Sequence, residues 1–115
     1  MEIEIEKYSI YIRPGVTDMR KGFLSLALEI QNKMKLNPYS KSIFIFCGSN
    51  KRIIKALIWD KNGWIQITKR IMTREHFCWP KGEEEAREVG LEDILLMLKG
   101  NDPWRSFSSV NPKYV

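Results

Sequence analysis

The chain has 115 residues, of which 43% are hydrophobic and 29% are charged, and its net charge is +5 at pH 7. This length suits one domain with a single modest core, and no apolar run approaches the roughly 20 residues that a membrane span needs. The acidic N-terminus predicts no signal peptide, and two cysteines are too few for a disulfide framework, so we expect a reduced, cytoplasmic protein. We expect residues 1–101 to form the domain and residues 102–115 a mobile tail.

A strand and a helix are predicted first along the chain. Alternating apolar and polar residues over 8–13 predict a half-buried strand that ends at a Pro-Gly pair. Thr17 or Asp18 can then cap a helix, whose apolar residues step by three or four from Met19 to Met34. We therefore predict a long helix of about five turns that ends at the following Asn-Pro pair.

Strands dominate the middle of the chain. Apolar and β-branched runs predict strands at 43–46, 52–59 and 64–70, and the last two are joined by a hairpin turn at 60–63. A short fourth strand is predicted at 76–79.

A second, short helix is predicted near the C-terminus. Residues 83–90 are charged and predict a loop or frayed helix, whereas apolar spacing over 91–98 predicts the helix, with Gly100 as its C-terminal cap. The predicted fold is α+β. An antiparallel meander sheet of about four to five strands packs against one long helix, and a short C-terminal helix follows.

The charge is unevenly distributed along the chain. Residues 41–74 contain eight basic residues against one acidic residue, whereas residues 75–99 contain seven acidic residues against three basic ones. A basic block favours a polyanionic partner, because binding to phosphates releases counterions. Lysines on the wet face of a strand also give solubility and protect sheet edges, so charge alone leaves both interpretations open.

The sequence contains little that is typical of an enzyme. His76 and Cys78 are two apart on a predicted strand, but ordinary packing explains them better than a nucleophile pair does. Adding Cys47 gives only three zinc ligands without finger spacing. Asp18 and Asp60 are isolated among cations, so a metal-dependent nuclease is the least favoured hypothesis. We therefore predict no catalytic residue, no metal and no cofactor.

The string TDMRKGF, residues 17–23, is the most informative motif. Asp18 suits the dipole of a helix N-terminus, whereas Arg20 and Lys21 oppose it. A phosphate gathered at the helix start could compensate those cations. Gly22 costs about 1 kcal/mol relative to Ala inside a helix, which favours a close approach of a partner or of the sheet. A tightly docked helix is thus the structural alternative to a binding site.

Aromatic and basic residues alternate through the predicted strands. Basic grooves with exposed aromatic rings hold single-stranded nucleic acid by charge and base stacking. Tryptophans are more often core or interface residues, and Trp59 and Trp64, which flank the hairpin turn, are the ones expected to be partly exposed.

Lys69 and Arg70 are neighbours on a strand and should therefore point to opposite faces of the sheet. We predict that Arg70 is fixed by Asp18 or Asp60, because a guanidinium suits a bidentate partner. Lys69 is then expected to face solvent beside the basic residues.

These residues together resemble a known family, the accessory protein encoded by the second open reading frame of insertion-sequence-66 elements, also called TnpB. The resemblance covers residues 8–100 and rests on TDMRKGF with Leu26, the strand at 43–46, Lys55 through Asp60, Gly63, Lys69-Arg70 and Phe77 through Pro80. The departures are Cys47, Cys78 and the acidic run at 83–85. The resemblance implies a bacterial protein that is encoded beside a larger transposase and assists DNA transposition, with no catalytic motif.

Two functions follow as hypotheses. The first is binding to the DNA of the element ends, through Arg20, Lys21, Lys51, Arg52, Lys55, Lys69 and Arg70. The second is a protein–protein adaptor for the cognate transposase or for a homo-oligomer. The motif or interface residues are Thr17, Asp18, Gly22, Phe23, Trp59, Trp64, Trp79 and Pro80. No membrane partner is expected.

Overall fold

The computed structural model describes residues 3–82 and 85–104 of the chain. Within them the elements are β1 (Ser9–Ile12), α1 (Phe23–Asn32), β2 (Ser42–Cys47), β3 (Ile53–Asp60), β4 (Gly63–Arg70), β5 (Arg87–Val89) and α2 (Leu91–Leu98), and a 3-10 turn at Ile5–Lys7 precedes them. The protein is α+β, as predicted. No helix among the described residues is long and apolar enough to cross a membrane.

The five strands form one mixed sheet in the order β4-β3-β2-β1-β5. Strands β1 and β2 are parallel, whereas the other three neighbouring pairs are antiparallel. The prediction of a purely antiparallel meander is therefore wrong. Helix α1 returns the chain to the starting end of β1, so β2 runs in the same direction as β1. The meander that was predicted is present only from β2 to β4.

Helix α1 has 10 residues and is shorter than predicted. It begins after Gly22, whose backbone is extended, so neither Thr17 nor Asp18 is its N-cap. It ends where Lys35 adopts a left-handed backbone (φ 60°) and the Leu36 N–H donates to the Ile30 carbonyl (3.1 Å). This hydrogen bond satisfies one of the last carbonyls of the helix, which have no partner within the helix itself.

The elements after β4 differ from the prediction in two places. Residues 76–79 do not form a strand, although Phe77 and Trp79 are buried. The predicted loop at 83–90 contains β5, which pairs with β1 over three residues. Helix α2 is confirmed, and Gly100 has the positive φ (91°) expected near a helix end.

Both faces of the sheet carry a core, because β2 is buried along its whole length. On the face covered by α1, which we call the α1 face, the core residues are Leu26, Ala27, Ile30, Met34, Phe44, Phe46 and Leu57. The opposite α2 face is covered by α2 and by the segment around Phe77 and Trp79, which pack on isoleucines of β1, β2 and β3.

The first residues of the expected C-terminal tail, 102–104, are among the described residues. Trp104 belongs to the core of the α2 face, stacks edge-on against Trp79 and donates its Nε1–H to the Cys78 carbonyl (2.6 Å). Residues 105–115, the rest of that tail, lie outside the described residues, as do Glu83 and Glu84 of the acidic run.

Candidate nucleic-acid interface

The motif loop, residues 14–22, connects β1 to α1 and is fastened to the rest of the fold by its backbone. The Thr17 N–H donates to the Cys47 carbonyl (2.8 Å) at the end of β2, and the Gly15 N–H donates to the Pro80 carbonyl (2.9 Å). Trp79 also contributes, because its Nε1–H donates to the Arg13 carbonyl (2.9 Å). Trp79 and Pro80 of the family motif therefore hold this loop in place from inside the fold.

Met19 is the residue through which the motif loop contacts the sheet. Its carbonyl accepts a hydrogen bond from the Lys55 Nζ (2.7 Å), and its side chain packs on the core of the α1 face. Gly48, at the end of β2, makes this approach possible, because a Cβ there would lie 2.7 Å from the Met19 Cγ. Lys55, which was predicted to bind nucleic acid, thus has a structural partner.

A buried ion cluster ties the loop to α1. The Arg13 Nε lies 2.5 Å from the Glu29 Oε2, and the Lys21 Nζ lies 3.2 Å from the Glu29 Oε1. Arg13 is only 9% exposed. Because a buried charge without a partner is strongly destabilising, we expect the loss of Glu29 alone to destabilise the fold.

Asp18 and Arg20 form a second, exposed pair at the tip of the loop. The Asp18 Oδ1 accepts from the Arg20 backbone N–H (2.9 Å) and Nε (3.0 Å), and the Asp18 Oδ2 accepts from the Arg20 Nη2 (2.9 Å). The hydrogen bonds from the Arg20 side chain and then from its backbone hold the pKa of the Asp18 carboxyl well below its ordinary value. The same contact raises the pKa of the Arg20 guanidinium, so both groups stay charged at all physiological pH values.

A groove of about 530 Å³ runs between the motif loop and the turn that joins β2 to β3. It is lined by Val16, Thr17, Asp18, Met19, Arg20, Gly48, Ser49, Asn50 and Ile53. Thr17 is 6% exposed, and its hydroxyl has no hydrogen-bond partner within the described part of the chain. A buried hydroxyl of this kind is unusual, since most such groups are paired.

Several of the predicted cations gather at one end of the sheet. There β2 ends, β3 begins at Ile53, and β4 ends at Arg70, which pairs in register with Ile53. We call residues 14–22, 48–53 and 69–76 the basic end; it contains seven basic residues against Asp18 and Glu75. A further depression of about 410 Å³ at this end is lined by Lys69, Arg70 and other residues up to Lys99 and Gly100.

The cations of the basic end differ in what they bind. The Arg52 guanidinium donates to the carbonyls of Thr73 and Arg74 (3.3 Å to the latter), so it holds the segment after β4. Four others, in contrast, make no side-chain hydrogen bond or ion pair with any described residue: Lys51, Lys69, Arg70 and Arg74. They are the cations most available to an external anion.

The prediction that Arg70 is fixed by Asp18 or Asp60 is wrong. Asp18 is occupied by Arg20, and Asp60 pairs with Gly63 at the other end of β4, about 23 Å away by strand rise. Lys69 and Arg70 do point to opposite faces, as strand alternation requires. Arg70 lies on the same face of the sheet as its register partner Ile53, which lines the groove beside the motif loop. Lys69 lies beside apolar residues on the α2 face.

The aromatic residues gather at the opposite end of the sheet. Trp59 and Trp64 are cross-strand partners with ring centroids 4.9 Å apart, and Tyr39 lies 5.0 and 5.3 Å from them. We call residues 37–41 and 59–64 the aromatic end. The cations of the basic end and these three aromatic rings thus lie at opposite ends of β3 and β4 and do not line one groove.

Phe23 and Gly22 mark the start of α1, where Phe23 is 44% exposed and Gly22 has no neighbour within 4 Å of an added Cβ. The expected close approach of the sheet at Gly22 is thus wrong, and it occurs at Gly48 instead; close approach of an external partner at Gly22 stays a prediction. Sequence reasoning also missed Arg13 and Glu29.

The residues considered for chemistry do not form a cluster. Burial raises the pKa of the Cys47 thiol to about 12, so it is not a nucleophile at neutral pH. Asp18 and Asp60 lie at opposite ends of the sheet and cannot share a metal ion. Within residues 3–82 and 85–104 no group of three or more His, Cys, Asp or Glu side chains could hold a metal ion.

Comparison with known proteins places this geometry in context. The family described as "IS66 Orf2 like protein" matches residues 8–107. The uncharacterized protein y4hO of Sinorhizobium fredii is 38% identical over 96 residues, which cover 84% of this chain and 82% of that protein. The uncharacterized protein y4jC of the same organism is 25% identical over 93 residues, covering 81% and 79% respectively. No solved structure matches the chain.

Proposed function

We propose that this chain, which belongs to the IS66 Orf2-like family, is a non-catalytic accessory protein of a bacterial insertion sequence that assists DNA transposition by binding DNA. Family membership supports the link to an insertion sequence. The observation that carries DNA binding is the basic end, where seven basic residues meet two acidic ones. The bacterial cytoplasm, where both cysteines stay as free thiols, is the compartment in which such a protein would act.

The arrangement of the basic end suits a phosphate backbone. Arg70 and Lys51 are unpaired among the described residues, and both adjoin the groove that Arg20 lines: Lys51 follows the lining residue Asn50, and Arg70 pairs in register with the lining residue Ile53. Each lysine or arginine that neutralises a phosphate releases a condensed counterion, so affinity should depend steeply on salt. Arg52 and Lys55 support this surface indirectly, because they hold the backbone on either side of it.

Fluorescence anisotropy with duplexes of the element ends, measured over a series of salt concentrations, tests the proposal. We expect binding at low salt and a linear fall of log K with log salt. Arg70→Ala and Lys51→Ala should each lower affinity and reduce the slope by about 1. Lys61→Ala, at the aromatic end, is the matched control and should change neither. Absence of binding at low salt, or a flat salt dependence, would refute the proposal.

A second candidate function, a protein–protein adaptor, is favoured by a specific surface. An open cavity of about 260 Å³ on the α2 face is lined by Lys69 and twelve apolar residues from the N-terminal segment, the sheet and α2. Exposed apolar surface of this kind is typical of interaction sites. Co-elution with the cognate transposase that survives nuclease treatment and is lost in Leu98→Glu would favour the adaptor; failure to co-elute would count against it.

A further inference from the structure

The pair Asp18–Arg20 combines an ordinary Asx turn, in which the Arg20 N–H donates to the Asp18 Oδ1, with two further hydrogen bonds from the guanidinium that the turn does not require. Three hydrogen bonds from Arg20 converge on one carboxylate, yet the Arg20 side chain is 91% exposed. Exposed ion pairs contribute little to stability. The loop is already held by the Thr17 N–H and by the Met19 carbonyl, so it does not need this pair.

The pair instead fixes the direction of a guanidinium that projects into solvent. A guanidinium is planar and has two edges that can each donate a pair of parallel hydrogen bonds. Asp18 occupies the edge formed by Nε and Nη2. The second edge, formed by Nη1 and Nη2, has no partner among the described residues and faces away from Asp18. Arg20 therefore presents a free fork of two donors in a fixed orientation.

Charge decides which acceptor suits this fork. The carboxylate of Asp18 offsets the charge of Arg20 and would repel a nearby phosphate, so the pair gains little from counterion release. Guanine is uncharged and presents O6 and N7 in the major groove with the spacing that a guanidinium edge matches. Asp18 can additionally accept from the amino group of a neighbouring cytosine. A preorganised direction favours base recognition, because discrimination between bases depends on hydrogen-bond geometry.

We propose that Arg20, oriented by Asp18, recognises guanine through O6 and N7 in the major groove of bound DNA. This inference rests on the proposed DNA binding. It divides the basic end into two tasks: Lys51 and Arg70 contact phosphates, whereas the Asp18–Arg20 pair reads a base.

Anisotropy with two short duplexes tests this division. One duplex has mixed sequence, and the other is identical except that every guanine is replaced by 7-deazaguanine, which lacks N7 but keeps base pairing and phosphates. The wild-type protein should bind the guanine duplex more tightly, by about 5-fold, the low end of the range for a bidentate contact, because only the hydrogen bond to N7 is lost and O6 remains. Arg20→Lys keeps the charge but loses the planar fork that Asp18 holds in place, so it should discriminate less between the two duplexes than the wild-type protein does, with an unchanged salt slope.

Two further variants separate base reading from structural and phosphate roles. Asp18→Asn removes a negative charge, so it should bind both duplexes more tightly while discriminating less between them, which a merely structural role would not produce. Arg70→Ala should weaken binding to both duplexes by the same factor. Circular dichroism and thermal melting confirm that each variant is folded.

The outcomes distinguish this inference from the proposed function. If the wild-type protein binds both duplexes equally, or Arg20→Lys loses affinity equally for both, Arg20 does not read guanine, although DNA binding stands. If the wild-type protein binds neither duplex at low salt, DNA binding itself is refuted, and the inference with it.

Discussion

At one end of the sheet a long loop and two turns bring basic side chains together, whereas at the other end three aromatic rings pack on one another around a tight hairpin. The basic end carries a net charge of +5, and the aromatic end carries +1. Strands β3 and β4 connect the two ends without interruption. The same hairpin thus supports two ends of different chemistry, and the basic end carries most of the net positive charge of the two.

The cations in and beside the basic end also show that position alone does not assign a role to a cation. Lys55 and Arg52 donate to main-chain carbonyls, Lys21 joins Glu29, and these contacts hold the loops. Arg70, in contrast, has no such contact among the described residues. We therefore expect substitutions of the first group to change stability and those of Arg70 to change binding.

The largest effect is expected at Glu29. Glu29→Gln leaves Arg13 buried without a carboxylate, so we expect the free energy of unfolding to fall by about 3 kcal/mol. Urea denaturation measures the change, and the double variant Arg13→Met/Glu29→Gln should recover part of it. A loss below about 1 kcal/mol would show that the cluster at the basic end is not buried in solution.

Replacing one glycine at each end of the sheet by alanine compares how tightly the two ends are packed. Gly48→Ala places a Cβ 2.7 Å from the Met19 Cγ, so we expect overpacking to lower stability by about 1–3 kcal/mol. Gly63→Ala, at the aromatic end, meets no atom within 4 Å and should leave stability unchanged or raise it by less than about 1 kcal/mol. Thermal melting of both variants measures the contrast. Equal destabilisation would mean that the motif loop does not close on Gly48.

Variants of Lys55 and Arg70, which lie on the same α1 face, should differ in whether they change stability or DNA binding. Lys55→Met removes the hydrogen bond to the Met19 carbonyl and should lower the free energy of unfolding by about 1.5 kcal/mol. Arg70→Ala should change it by less than about 0.5 kcal/mol. Urea denaturation and DNA anisotropy on the same samples check both values. A larger stability loss for Arg70→Ala would show that Arg70 has a partner in solution.

The smallest effect concerns the thiols. Because the pKa of Cys47 is raised to about 12, its neutral form contributes stability that is complete below the ordinary thiol pKa of about 9 and is lost as pH rises toward 12. At neutral pH we expect iodoacetamide to modify the partly exposed Cys78 and to spare Cys47 until the protein is unfolded. Mass spectrometry of the native and urea-treated protein distinguishes the two. Modification of Cys47 in the native state would indicate that this end of β2 opens readily.

The sequence predicted the elements whose signal is local. The β3–β4 hairpin and α2 follow from strand alternation, a turn and helical spacing, and the structure contains them. The start of α1 was predicted too early, because the apolar stripe continues through Met19, which packs on the same core without being helical. Strand β5 escaped prediction, since its three residues include Arg87 and Glu88 and only Val89 is buried.

The sequence indicated which residues belong to the candidate site, but not how those residues are arranged in space. Alternation placed Lys69 and Arg70 on opposite faces, yet only the register of β3 with β4 tells which face the motif loop shares. The bond from Lys55 to Met19 joins residues 36 apart in the chain, and Gly48 acts through the space that it leaves empty. Neither contact has a signal in local sequence.

The pairing of β1 with β5 also affects how the protein emerges from the ribosome. Ile10 and Ile12 acquire their partners Val89 and Arg87 more than seventy residues later in the chain. At a translation rate of about 5–20 residues per second, that interval lasts about 4 to 15 s. During this time one edge of β1 has no partner, and unpaired edges invite association between nascent chains. Translation in cells therefore sets a minimum time for folding, because β1 cannot complete its pairing before residue 89 is synthesised.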